Sequence, residues 1–239
     1  MLSRQDFIML SLLPLLIACN VNESTDALFL EGVGLTAVNI DVQAGDVSYR
    51  GGYSDLEMQV RSWGASTDPE TADSREDGNS WGLDRQGDIA QAWARSQSWN
   101  AGTDLTLLGP TGVVSDWLLQ NGDLEIRELS GDHYMEADNV DLFNVSGSLE
   151  VVADRVDASL APGAGDVIHI IADGPVNLEL PWSRGYDLTV WGDPEAEMVI
   201  EDFGFGRVAT SPGYFAGVSG GGEVRVIIET NSSVNVRAF

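Results

Sequence analysis

Residues 165–191 read GDVIHIIADGPVNLELPWSRGYDLTVW, and the spacing of their apolar side chains sets the fold class. Val167 to Ile171, Val176 to Leu180 and Leu188 to Trp191 are short apolar runs, and Asn177, Glu179 and Thr189 interrupt the last two at every second position. Gly165-Asp166 and Asp173-Gly174 separate the runs with residues that tolerate tight reversals. A strand sends alternate side chains to opposite faces, whereas an amphipathic helix repeats its apolar residues every three or four positions. The period here is two, so the stretch predicts successive short strands.

The same pattern extends in both directions. Ala37 to Val42, Leu56 to Arg61, Leu124 to Arg127, Leu149 to Ala153, Met198 to Glu201, Val224 to Glu229 and Val234 to Arg237 are further strand candidates. A glycine followed within a few residues by Leu or Val recurs at Gly102, Gly122, Gly147, Gly165, Gly185, Gly206 and Gly222, in six steps averaging 20 residues. Rungs of that length, each unable to bury its inward row alone, would stack into a continuous core. The sequence therefore predicts an all-β chain built as a β-solenoid with rungs of about 20 residues. A β-sandwich with evenly spaced turns is the alternative. The predicted core is Leu124, Ile126, Leu149, Val151, Val167, Ile170, Leu178, Leu180, Leu188 and Val190.

Charge removes several function classes. The 38 acids against 12 cations, all of them Arg, give a net charge of −26. Nucleic acids and anionic membrane faces are bound by basic side chains that displace counterions, so neither is an expected partner. Hydrophobic content of 43% is ordinary for a folded domain. The excess of acid fits a saline medium, where screening shortens the range of self-repulsion.

The first residues read as an address. Phe7 to Ile17 is an apolar run too short for a permanent span. It ends in Leu16-Ile17-Ala18-Cys19, which resembles a bacterial lipoprotein box. The resemblance implies that residues 1–18 are removed and that Cys19, the chain's single cysteine, carries the lipid that holds the protein to a membrane. Asn20 after the cysteine, in place of Asp, implies the outer membrane of a Gram-negative bacterium. Residues 19–35 are then the lipidated cysteine and a flexible tether, polar from Asn20 to Asp26. Residues 36–239 form one domain, interrupted near residues 65–90 by a disordered acidic insertion. A division near residue 110 is the other reading.

Within 36–239, Val38-Asn39-Ile40-Asp41-Val42 before Gly45-Asp46-Val47, Leu180-Pro181 before Tyr186-Asp187-Leu188-Thr189-Val190, the run Gly220 to Ile228 and the last strand Val234 to Val236 carry a likeness. The chain resembles a family of bacterial adhesin-like β-solenoid domains, largely uncharacterised, that follow secretory or lipoprotein signals. The resemblance implies that fold style and a cell-envelope setting, and supplies no catalytic residues.

Other constellations are weak. Gly217-Val218-Ser219-Gly220-Gly221 has the spacing of a nucleophile elbow, but a strand follows it, and His133 and His169 both precede it. Gly32-Val33-Gly34 imitates a dinucleotide fingerprint without the helix that would hold a pyrophosphate. Asp73, Asp77, Gly78 and Asp84 meet part of a calcium-loop template, with Arg75 at a ligand position. Weak Ca²⁺ or Mg²⁺ binding by that loop, or by Asp132, Glu136, Asp138 and Asp141, is the metal chemistry the composition allows; a solvated acidic face is the plain alternative. No cofactor is expected. Trp81, among polar neighbours, is the ring best placed for ligand contact. The reading is a non-enzymatic, lipid-anchored cell-envelope protein, an adhesin or structural scaffold, with a polysaccharide or an envelope protein as partner. The alternatives are a carbohydrate-active β-helix enzyme, lyase or glycosidase, working through paired carboxylates, and a polysaccharide- or protein-binding module.

Overall fold

The computed structural model describes residues 20–201 and 203–239. The first third contains β1 (Asn20–Leu30), β2 (Ala37–Val42), β3 (Val47–Arg50), β4 (Leu56–Ser66), α1 (Pro69–Glu76), β5 (Ser80–Gln86) and β6 (Ile89–Arg95). The middle holds β7 (Ala101–Leu108), β8 (Val114–Leu119), β9 (Asp123–Arg127), β10 (His133–Val145) and β11 (Leu149–Leu160). There follow β12 (Val167–Ala172), β13 (Val176–Leu180), β14 (Tyr186–Trp191), β15 (Met198–Ile200), β16 (Arg207–Ser211), β17 (Tyr214–Val218), β18 (Val224–Thr230) and β19 (Val234–Ala238).

The all-β prediction holds; the solenoid does not. The strands join one mixed sheet of 19 strands, with antiparallel pairs near both ends and parallel pairs between them. They do not coil in chain order. β2 lies between β6 and β8, and β3 between β7 and β9. At the other end β18 enters between β12 and β14, and β19 between β13 and β15. β2, β3, β18 and β19 are thus inserted among later or earlier strands instead of being laid down as first and last coils. The glycine spacing misled because it records turn density, which any short-strand β fold shares. Gly102 is not at a turn at all: it lies within β7, where an added Cβ would meet the Trp63 ring at 2.7 Å.

Long strands fold this sheet into two halves. Residues 133–136 of β10 pair with β8 and residues 139–143 with β9; β11 divides in the same way between β12 and β13. The halves face each other across one apolar core, and Tyr49 of β3 meets Trp117 of β8 edge-on with centroids 5.2 Å apart. Two packed β layers agree with the sandwich alternative.

Alternation decides which residues are inside. Leu124, Ile126, Leu149, Val151, Ile170, Leu178, Leu180, Leu188 and Val190 are buried as predicted. Val167 is not: in β12, Ile168 and Ile170 turn inward and Val167 is 41% exposed. A run apolar on both faces gives no parity from sequence alone.

Two segments expected to be irregular are ordered. Residues 20–30, read as tether, form β1, which pairs with β4 from Asn20↔Ser66 to Leu30↔Leu56. It is polar because it lies at the sheet's margin, and solvent wets most of its side chains. The 65–90 segment holds α1 and β5. Asp68 caps α1 by accepting from the Thr71 N–H at 3.0 Å, and Pro69 opens its first turn. Only Ala72 and Glu76 of this helix are buried, so its sequence has no apolar stripe to reveal it.

Candidate functional site

The outer surface of the half containing β3, β9, β13 and β19 carries two polar rows in register. Val47, Leu124, Val140, Val156, Val176 and Val234 point into the core, so the next residue on each strand points out. This gives one row of Ser48, Glu125, Asp141, Asp157, Asn177 and Asn235. Two positions further on, a second row runs Arg50, Arg127, Phe143, Ser159, Glu179 and Arg237. Parallel pairing stacks like positions about 4.8 Å apart, so chemistry repeats across the strands in a way no local motif records.

A groove of about 390 Å³ lies where the two rows cross β11, β13 and β19, lined by Asp157, Ser159, Asn177, Glu179, Asn235 and Arg237. Asn177 Nδ2 donates to Asp157 Oδ1 at 2.6 Å, and Arg155 Nε donates to Asp157 Oδ2 at 2.7 Å. Arg237 Nε donates to Glu179 Oε1 at 2.8 Å. Partial burial pushes the neighbouring Asp141 carboxyl above its usual range; the charges of Asp157, Glu125 and Asp123 add to this, while Arg155 opposes it. Amide, carboxylate and guanidinium groups thus sit side by side and already oriented.

Phe143 borders the groove beside Ser159. Its ring is 54% exposed, with the Arg127 guanidinium 5.5 Å from its centroid. The register of β10 slips between Phe143 and Val145, and Asn144 there adopts φ 55°. Glu128, whose N–H donates to the Phe143 carbonyl at 3.0 Å, has φ 61°. Such left-handed residues are uncommon outside glycine. A bulge of this kind re-aims the side chain beside it, and this one ends the regular face at the exposed ring.

The residues singled out from sequence lie elsewhere. Trp81 belongs to β5, opposite Ala94 of β6, and packs half-buried against the core; Trp99 and Trp182, 86% and 77% exposed, and Trp191 are more open. Cys19 lies outside the described residues, as do the signal residues 1–18. Ser219 is buried, its Oγ accepting from the Tyr186 N–H at 3.1 Å, which fits a glycine-rich turn and not a nucleophile. Gly32 packs against the Ser54 carbonyl, where an added Cβ would come within 1.9 Å. The acids considered for Ca²⁺ have separate tasks. Asp138 accepts from Gly122 N–H, Asp132 from Ser148 N–H and Glu136 from the Tyr134 hydroxyl, while Asp73 accepts from Asn22 Nδ2. Among the described residues no three such side chains converge on a metal position.

His133 has a role that sequence did not reveal. It is buried, and its Nδ1 shares a 2.7 Å hydrogen bond with Ser115 Oγ, which also accepts from Trp117 Nε1 at 2.5 Å. Burial lowers its pKa to about 4, against a weaker upward pull from Asp132. The Ser115 hydroxyl is shut away from solvent, so the trio pins β8 to β10 and is not a nucleophilic pair. His169 instead pairs on the surface with Glu229, Nε2 to Oε1 at 3.1 Å.

No protein-family profile matches the chain, and no curated protein matches it. Among solved structures, it is similar to a candidate cell-adhesion protein from Clostridium sporogenes with a TM-score of 0.50 at 11% identity, over 91% of this chain and all of that one (100%). A candidate adhesin from Bacteroides fragilis and a candidate lipid-binding protein from Parabacteroides distasonis each match at 9% identity over 91% of this chain and 97% of theirs, with TM-scores of 0.27. At such identities the first likeness is one of fold.

Proposed function

We propose that this protein is a non-enzymatic adhesive module of the bacterial cell envelope, held to the outer membrane by lipid on Cys19, that grips a polysaccharide along the groove between Asp157 and Arg237. The observation that carries the reading is the doubled row of outward polar side chains, with Phe143 at its margin. Carboxylates and amides in fixed register can accept from and donate to the hydroxyls of successive sugars, and an exposed ring offers a flat apolar platform for a pyranose face. A net charge of −26 selects against acidic polymers, so the ligand class is a neutral or amino-sugar glycan. The fold shared with the Clostridium sporogenes candidate cell-adhesion protein supports the same setting.

The test is binding of the full-length protein to a panel of neutral, amino and acidic glycans, with the double variant N177A/N235A and with F143A. Each good polar contact contributes about 1 kcal/mol, so the double variant should weaken binding by at least about tenfold. Glycan binding that survives both variants unchanged would remove the groove from consideration. The anchor is tested separately: C19S should move the protein from the outer-membrane fraction to the soluble fraction.

A further inference from the structure

Among the described residues the sheet has four marginal strands, and three of them are guarded. β1 carries Glu23 and Asp26, and α1 leans on it through the Asn22–Asp73 hydrogen bond of 2.7 Å. β5 carries Asp84 and Arg85. β15 is three residues long and is followed by Glu201, whose Oε2 accepts from the Ala238 N–H at 2.8 Å. Charge, brevity and cover are the usual means of stopping edge-to-edge pairing.

β16 carries no acid and a single charge, Arg207 at its first residue. All five of its residues, Arg207 to Ser211, are exposed, and its register with β17 is unbroken. It also lies in the longest acid-free run of the chain, Phe203 to Gly222, in a protein whose surface is otherwise crowded with carboxylates. The direction of its free backbone groups follows from parity. Gly213 O accepts from Gly192 N–H, and Ser219 N–H donates to Tyr186 O, so the odd-numbered residues from 213 to 219 bond toward β14. Tyr214, Ala216 and Val218 therefore bond toward β16, where they meet Ser211, Ala209 and Arg207. The N–H and C=O groups of Val208 and Thr210 face outward, and among the described residues no strand pairs with that side.

We infer that β16 is a self-association edge, at which a second copy of this chain adds its own β16 antiparallel about a two-fold axis through Ala209. The edge is self-complementary in that register. Val208 of one copy bonds Thr210 of the other in both directions, Arg207 lies opposite Ser211, and no like charges meet. Elsewhere two copies, each at −26, repel; at this hairpin they meet without opposed carboxylates. A five-residue edge buries far less than the ~1,200 Å² of a stable interface. The pairing is therefore transient in dilute solution, and it strengthens when chains are crowded on one surface or when salt screens the remaining acids.

The register fixes the test. Ala209 would face its own copy at a non-hydrogen-bonded position, with Cα atoms about 4.5 Å apart, inside the range a disulfide spans. Two copies of residue 210 would lie about 8 Å apart, beyond that range. Full-length A209C and T210C in detergent, beside the wild-type chain with its native Cys19 alone, are exposed to a mild oxidant at low and high salt and run without reductant. A209C should give at least about tenfold more disulfide dimer than T210C once the wild-type background is subtracted, and more at high salt. V208P introduced into A209C removes the outward N–H and should abolish the excess dimer; far-UV circular dichroism checks that this variant folds, and the A209C/T210C contrast stands without it. Equal cross-linking of the two cysteine variants overturns the inference. So does an A209C chain that stays monomeric, whether the edge remains bare or takes a foreign strand.

Discussion

Acid should destabilise this protein through His133 before its carboxylates titrate in bulk. The imidazole is buried, with Nδ1 tied to Ser115, and Nε2 has no partner among the described residues. Burial holds its pKa at about 4, below the ordinary imidazole value of about 6.5. As pH falls through about 6.5 the unfolded chain takes up a proton that the folded chain refuses, so stability is full above that value and drains away toward about pH 4. At about pH 4.5 the loss is about 2.5 kcal/mol. Urea denaturation of wild type and H133N between about pH 8 and 4.5 isolates the imidazole's contribution, because the carboxylates are common to both. The difference in unfolding free energy between the two proteins should shift by about 2 to 3 kcal/mol in favour of H133N as pH falls across that window. Parallel pH profiles would refute the assignment of a buried, neutral imidazole.

The parity of β12 is checked by a pair of variants. I170A, at a fully buried site, should cost about 2 to 5 kcal/mol in urea denaturation, whereas V167A on the outer face should cost under about 1 kcal/mol; equal costs would mean that the strand is turned the other way. Gly147 has φ 104°, and an added Cβ would lie 1.7 Å from the Gly131 carbonyl oxygen, so G147A should lower unfolding free energy by about 3 kcal/mol or more in the same assay. N177D would extend the acidic row of Glu125, Asp141 and Asp157 by one strand and replace the amide donor to Asp157 with a like charge. Thermal melts should show it about 1 kcal/mol less stable than wild type at low ionic strength, with most of the gap closing near 1 M salt; a gap that ignores salt would mean the row is not governed by charge.

Strand identity was legible because alternation is a local property. Val176 to Leu180 announces one buried and one wet face within five residues, and β13 follows it. Connectivity was not legible for the complementary reason. The sequence neighbours of β18 are β17 and β19, yet it bonds to β12 and β14, and nothing in Val224 to Thr230 records which strands it will separate. β1 and α1 were missed because their burial is slight: a strand with one bonded edge, and a helix that covers β4 with only Ala72 and Glu76 buried, do not need the apolar periodicity that marks a core element. For the site the contrast is sharper. Trp81 drew attention because its neighbours are polar, and the fold turned it toward the core. Asp157, Asn177 and Asn235 are unremarked in sequence, 20 and 58 residues apart in succession, and acquire meaning only when parallel register sets them side by side.

That register also explains how so acidic a chain can present uncharged polar groups beside its carboxylates. In a parallel ladder a position repeats from strand to strand, so an acid on one strand places the next strand's side chain within reach of its charge. From β9 to β11 the row is Glu125, Asp141 and Asp157, held by Arg155, which pairs with both Asp141 and Asp157. At β13 and β19 the row changes to Asn177 and Asn235, groups of similar shape that donate as well as accept and carry no charge. Continuing the acids would have added repulsion without adding donors. The change to amides relieves Asp157 through the Asn177 hydrogen bond and creates, within one groove, a boundary between acceptors alone and donor–acceptor pairs. A sugar hydroxyl both donates and accepts, so under the proposed function the place where the row changes character would offer a glycan both halves of its hydrogen bonding.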